Sequence, residues 1–290
     1  MHHKSRGIQF HDPEEKHSIN HVMTGFVDDT THWINNFKDS LHGRYNQSTM
    51  YSETNKTAQW WEQLLNASGG KLELTKCFYY NISWQFNTEG EPELMTPKSD
   101  HRVTIKSSEN DTQFTIEEKS SFASHKTLGV MENPSGNYMD EYKNIQQKSQ
   151  LWHRRIINQN LNRQELKLFY QSFYLPSIRY HLIIGTFTHT QLDTIQHPIL
   201  QTILSRMGYN SNMPKAVIYG PTSAGGLGFQ HLMVIQGVQK IKHILQAYRH
   251  HTPLIGIIHT TLQWAQHIAG IKESIFVDTT TPIPSLQKEL

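Results

Sequence analysis

The spacing of apolar positions divides the chain into two stretches of different period. Residues 1–16 are polar, with Asp12-Pro13 as a turn signal. Ile19, Val22, Met23, Phe26 and Val27 predict a strand over 19–27, and Trp33, Ile34 and Phe37 a second one. The two make a hairpin with Val27-Asp28-Asp29-Thr30 at its tip. Residues 38–56 hold little apolar material and read as a loop. A helix is predicted over 56–67, with Ala58, Trp61 and Leu65 on one face, widened by Trp60, Leu64 and Ala67. Gly69-Gly70 stops it. A single strand follows, in which Phe78, Tyr80, Ile82, Trp84 and Phe86 alternate with Cys77, Tyr79, Asn81 and Ser83. Asn87-Thr88-Glu89-Gly90 turns it. Val103 and Ile105 against Phe114 and Ile116 suggest another hairpin, and a short strand over Lys126–Met131 ends at the Glu132–Gly136 turn.

From about residue 138 the period becomes helical. Tyr138, Tyr142, Ile145, Ser149, Trp152 and Ile156 recur at spacings of four and three. Asn162 and Glu165 have the spacing of a capping box. Pro176 is expected to interrupt the helix that follows. Residues 190–207 continue helical, with a kink expected at Pro198 and a stop at Gly208. Helices are predicted at 231–249 and 252–268. The fold class is therefore α+β: antiparallel strands with a packed helix over 1–137, an all-helical region over 138–277, and a disordered tail over 278–290.

Composition narrows the classes. The chain of 290 residues has 30 aromatic side chains (12 Tyr, 12 Phe, 6 Trp), enough for a real core despite a mean hydropathy of -0.59. A formal net charge of +2 does not by itself argue for nucleic acid. The single cysteine, Cys77, excludes an internal disulfide and a thiolate zinc cluster. No apolar run reaches the roughly 20 residues of a membrane span, so a soluble, intracellular protein is expected. His17 and His21 share a strand face but lack a third ligand. The Gly225–Gly228 turn lacks the Gly-Lys-Ser/Thr ending of a phosphate loop.

The chemistry centres on Asp28-Asp29. Adjacent carboxylates at a hairpin tip offer hard oxygen ligands to a divalent cation such as magnesium. Phe26-Val27-Asp28-Asp29 resembles the aromatic-x-Asp-Asp box of reverse transcriptases. Lys71-Leu72-Glu73-Leu74-Thr75-Lys76-Cys77, after a helix and Gly69-Gly70, resembles the next palm motif. Lys126-Thr127-Leu128-Gly129-Val130 is similar to the primer-grip hairpin. Pro221-Thr222-Ser223-Ala224-Gly225-Gly226-Leu227-Gly228 resembles a turn that follows the thumb in the LINE-like, non-LTR retrotransposon enzymes. The motifs follow one another in order over most of 17–230.

The resemblance implies part of a polymerase palm over 1–137, followed by a helical thumb and an extension. It makes Asp28 and Asp29 metal carboxylates for Mg2+ or Mn2+, and Lys76 a proton donor to the leaving pyrophosphate. It makes Leu128, Gly129 and Val130 a grip on the primer strand. Arg154, Arg155, Arg163 and Lys167, interleaved with Trp152 and Tyr170, suit a duplex backbone; they equally suit the solvated faces of amphipathic helices. The implied partners are an RNA template and a DNA primer, and the implied location is nuclear if the product is an active retroelement. The family also needs fingers and a further aspartate ahead of the Asp-Asp box, and only 24 residues precede Gly25. The stretch is therefore expected to be inactive alone: a fragment of an RNA-directed DNA polymerase, with a non-catalytic nucleic-acid-binding module and a retrotransposon relic as alternatives.

Overall fold

A computed structural model describes residues 7–26, 29–35, 47–95, 101–210, 212–250 and 254–271. The fold mixes helices with small sheets and is α+β; each sheet among the described residues has two strands. Two compact units are present. The first takes the described residues up to Ala123 with His259–Trp264, and the second takes Ser124–Ile258 and the residues from Ala265 on.

In the first unit, β1 (Ile8–His11) and β2 (Ser18–His21) form an antiparallel hairpin around the Asp12-Pro13 turn signal, and no strand is predicted for β1. Buried Asp12 closes its turn by accepting from the Lys16 amide at 2.8 Å. The single strand predicted over 19–27 is instead two, because the chain changes partner at Val22. There β2 ends and β3 (Met23–Phe26) begins a hairpin with β4 (Asp29–His32), in the register Met23↔His32 to Phe26↔Asp29. The Val22 carbonyl leaves the ladder to accept from the Trp33 amide, and the Trp33 carbonyl accepts from Gly7.

Helix α1 spans Gln47–Ala67, so residues 47–55, expected as loop, are helical. Tyr51 on this added length is buried with Val103, Ile105 and Ile116. Ala58 packs against the same cluster, and polar bonds complete the docking. Asn55 accepts from the Thr104 amide, Gln59 both accepts from and donates to the Lys106 backbone, and Glu62 accepts from the Ser108 amide. The three lie one turn apart along α1; Asn55 and Gln59 satisfy the open edge of β8 (Thr104–Lys106), whose other edge pairs with β9 (Gln113–Thr115), and Glu62 holds the turn after it.

The strand predicted through Phe86 also divides. β5 (Phe78–Tyr80) pairs in parallel with β10 (Glu117–Lys119), which corrects the expectation of antiparallel strands throughout, and β6 (Ser83–Phe86) pairs with β7 (Pro92–Met95). Buried Asn81 sits at the break. Its amide donates to the Tyr51 hydroxyl and its carbonyl accepts from Ser121, so its polar groups find partners off the ladder.

The second unit opens with the hairpin of β11 (His125–Thr127) and β12 (Val130–Glu132). Helices α2 (Met139–Ile157), α3 (Arg163–Phe169), α4 (Leu175–Ile184), α5 (His189–Arg206), α6 (Lys215–Tyr219) and α7 (Leu232–His250) follow, and α8 (Leu254–Ala269) is divided between the two units. The core of the second unit includes Ile145, Leu166, Tyr170, Leu182, Ile195, Ile203 and Leu232. The Asn162–Glu165 capping box forms as expected, with both reciprocal bonds present. Pro176 does not interrupt the run. A π-helical turn at Tyr170–Tyr174 precedes α4, and the proline falls in the first turn of α4, where its missing amide costs least. α5 continues through Pro198, and Gly208 closes the segment at φ +78°.

The change of period at 138 is not where the units divide. The β11–β12 hairpin belongs with the helices: buried Glu141 of α2 accepts from the Met131 amide at 2.7 Å, and Ser124 donates to Asp140 at 2.7 Å.

Candidate functional site

Of the paired aspartates, Asp28 lies outside the described residues. Asp29 is exposed and opens β4 opposite Phe26, at the end of the ladder. Lys76 is exposed and ends a 3-10 turn over Leu74–Lys76, whose geometry is set by the Lys76 amide donating to the Glu73 carbonyl. Among the described residues, no hydrogen bond or ion pair joins Asp29 to Lys76, and Asp29 belongs to no group of three potential metal ligands.

The turn between β11 and β12 is built for its residues. Leu128 and Gly129 both take left-handed backbone angles, φ +50° and +92°, the pairing of a two-residue hairpin turn. Leu128 projects outward and is 45% exposed, while Val130 is fully buried, so the turn is held from below.

What holds it is a polar chain that periodicity alone does not reveal. Glu141, with no exposed surface, accepts from the Met131 amide, from the Asn144 amide group at 3.0 Å and from His181 Nδ1 at 2.5 Å. His181 is buried on α4, and its Nε2 lies 2.6 Å from Lys148 Nζ on α2. A carboxylate on one side of the imidazole and an ammonium on the other fix the tautomer: Nδ1 donates to Glu141 and Nε2 accepts from Lys148. Burial alone would raise the Glu141 carboxyl, but the bonds from His181, Met131 and Asn144 outweigh it and hold its pKa below the ordinary value.

The predicted basic residues are all in the helical unit. Arg154 and Arg155 are exposed in the last turn of α2, where cations complement the helix dipole, and the Arg155 guanidinium lies over the Trp152 ring at 5.1 Å. Arg163 lies over Tyr209 at 5.5 Å. Arg163 and Lys167 are one turn apart on α3 and both border glycines: a Cβ at Gly208 would meet the Arg163 guanidinium at 3.0 Å, and one at Gly228 would lie 3.8 Å from the Lys167 ammonium.

The Gly-Gly-Leu-Gly turn has a structural reason. A Cβ at Gly226 would come within 2.2 Å of the Gly220 carbonyl oxygen, and Gly225 and Gly228 take left-handed φ. The Leu227, Gly228 and Phe229 amides donate back to Val217, Gly220 and Ile218. The turn is thereby laid against the end of α6.

A second cluster goes unread in the sequence because its members are far apart. His189, Asp193 and His231 offer ligand atoms within 4.8 Å of one another, and could hold a metal ion. Lys215 Nζ and His231 Nε2 each lie 2.8 Å from an Asp193 oxygen. Burial alone would raise the Asp193 carboxyl, but the hydrogen bonds from Lys215 and His231 win and its pKa is lowered. His231 also caps α7, with Nδ1 accepting from the Met233 amide at 3.1 Å. That places the ring proton on Nε2, so this nitrogen donates to Asp193 and has no free lone pair for a cation. As bonded here, the donor set fits an ion-paired cap. Only the His189–Asp193 spacing, one helical turn, is visible in the sequence.

Comparison with protein-family models, with curated proteins and with solved structures finds no match. No helix among the described residues is long and apolar enough to cross a membrane.

Proposed function

We propose that residues 1–290 are the later palm and the thumb of an RNA-directed DNA polymerase of the LINE-like type, and that their helical unit binds the primer–template duplex. The observation that carries this reading is the β11–β12 hairpin. Its Leu128–Gly129 turn faces outward, and its second strand is bonded directly to the first turn of α2. A primer grip and a thumb must hold one duplex together, and this linkage supports that role. The cations Arg154, Arg155, Arg163 and Lys167 in the same unit supply the charge a phosphate backbone requires.

In this reading Asp28 and Asp29 are carboxylates for Mg2+ or Mn2+, which when bound supports attack of a 3′ hydroxyl on the incoming α-phosphate. Lys76 returns a proton to the leaving pyrophosphate. Two carboxylates of a three-carboxylate site hold such an ion weakly, so this stretch by itself is expected to bind duplex without extending a primer.

Fluorescence anisotropy with a short RNA–DNA hybrid tests the first part. Binding at low salt that weakens steeply as salt is added is the expected result; no binding at low salt overturns it. Primer extension with magnesium or manganese tests the second. Template-dependent extension that disappears in Asp28→Ala would refute the expected inactivity.

A further inference from the structure

Trp152, Phe169 and Phe173 bring three rings together at the surface of the helical unit. Phe169 and Phe173 stand one turn apart and nearly parallel, at 17° with centroids 6.3 Å apart. Trp152 meets Phe169 edge-on at 5.6 Å and lies 6.5 Å from Phe173. Its indole N–H donates to the Ser177 hydroxyl at 2.8 Å, and that hydroxyl donates to the Tyr174 carbonyl, so the ring is fixed in orientation. Phe173 belongs to the π-helical turn, an irregularity that often marks functional sites. Tyr170 and Tyr174 at the ends of that turn are fully buried, whereas Phe173 is 56% exposed. The outermost ring of the group therefore keeps apolar surface in water that the core does not take up.

Cations adjoin these rings. The Arg155 guanidinium lies over Trp152 at 5.1 Å, and Arg154 is exposed beside it in sequence. Among the described residues neither arginine is in an ion pair. Glu165, one turn before Phe169, gives its carboxylate to the Asn162 amide in the capping box. An exposed ring beside unpaired guanidinium groups suits a ligand that is both flat and anionic, which a nucleotide is. The bases of a duplex are already stacked on one another and leave such a ring unused.

We infer that Phe173, Phe169 and Trp152 form a stacking platform for one unpaired base of a nucleic-acid strand, with Arg155 placed for the adjoining phosphate. This goes beyond the duplex contact proposed above and takes a strand where it is single. The fixed Trp152 and the paired phenyl rings have little side-chain freedom left to lose on binding.

The test is fluorescence anisotropy on the full chain. The ligands are the blunt RNA–DNA hybrid, the same hybrid with a short single-stranded overhang, and that overhang made abasic so that its phosphates remain. The intact overhang should bind about tenfold more tightly than the abasic one, the worth of stacking one base. Phe173→Ala, at an exposed position, should erase that difference and leave affinity for the blunt hybrid unchanged, and Phe173→Trp should keep both. Equal affinity for the intact and abasic overhangs overturns the inference. A difference that persists in Phe173→Ala overturns it too, and if that variant also turns a dimer into a monomer in sedimentation, the patch is a contact between copies of the chain. If the blunt hybrid does not bind but an intact single strand binds better than its abasic form, the duplex reading fails and this inference stands. If neither binds at low salt, both fail.

Discussion

Glu141 is the residue on which most of the second unit's polar design converges. It is a fully buried carboxylate whose oxygens are taken by a backbone amide, a side-chain amide and an imidazole. Removing one member of such a buried set leaves its partners unsatisfied, and Glu141→Gln is expected to cost about 3 kcal/mol at neutral pH. The sign with pH follows from its lowered folded pKa. The stabilisation is present above the unfolded value of about 4.3 and is lost as pH falls through the lower folded value. Urea unfolding from pH 7 to pH 3 should therefore show the gap between wild type and Glu141→Gln closing below about pH 4. A gap that stays constant to pH 3 would mean that the carboxylate form is not what the fold uses. At the same scale, the residues that sequence alone brings forward fare unequally. Gly129 is legible because left-handed turns select glycine, and Asn162 because its side chain acts on its own helix. His181 and His231 are not legible, because their partners stand on other elements.

At the scale of elements, α1 shows where periodicity fails. Residues 47–55 read as loop because Tyr51 is the one large apolar side chain there that the core takes up, and beyond it Asn55, Gln59 and Glu62 bond to the main chain of β8 and the turn after it. Apolar spacing can report only a helix that docks through apolar contacts. The consequence is measurable. Gln59→Ala breaks two hydrogen bonds to Lys106 and should destabilise the first unit by about 1–2 kcal/mol, although Gln59 touches no apolar core residue through those bonds. Thermal unfolding followed by circular dichroism checks this, and a change below about 0.5 kcal/mol would refute polar docking as the source of α1. The strand predicted over 77–86 fails for the related reason that buried Asn81 diverts its polar groups to Tyr51 and Ser121. Helices α2, α3, α5 and α7 are legible because each has an apolar face on a common core.

At the scale of the molecule, the α+β class and the change from strands to helices are both visible in the pattern of apolar positions. The place where one core ends and the other begins is not. Periodicity marks where helices start, whereas the units are separated by which side chains bind which backbone, and the Met131–Glu141 and Ser124–Asp140 bonds carry the last hairpin into the helical unit. The residues proposed to grip a duplex, Leu128 to Val130 with Arg154, Arg155, Arg163 and Lys167, accordingly fall on one unit, while Asp29 and Lys76 fall on the other.

The Met131–Glu141 bond also decides where the polypeptide can be cut. A fragment begun at Ser124 keeps the hairpin that occupies Glu141, whereas one begun at Tyr138 exposes the surface that Val130 covers and takes the Met131 amide from a buried carboxylate. The longer fragment is expected to melt cooperatively. The shorter one should keep helical circular dichroism but bind hydrophobic dyes and lose a sharp transition. Equal cooperativity in both would show that the hairpin is an ornament of the helical unit and not part of its foundation.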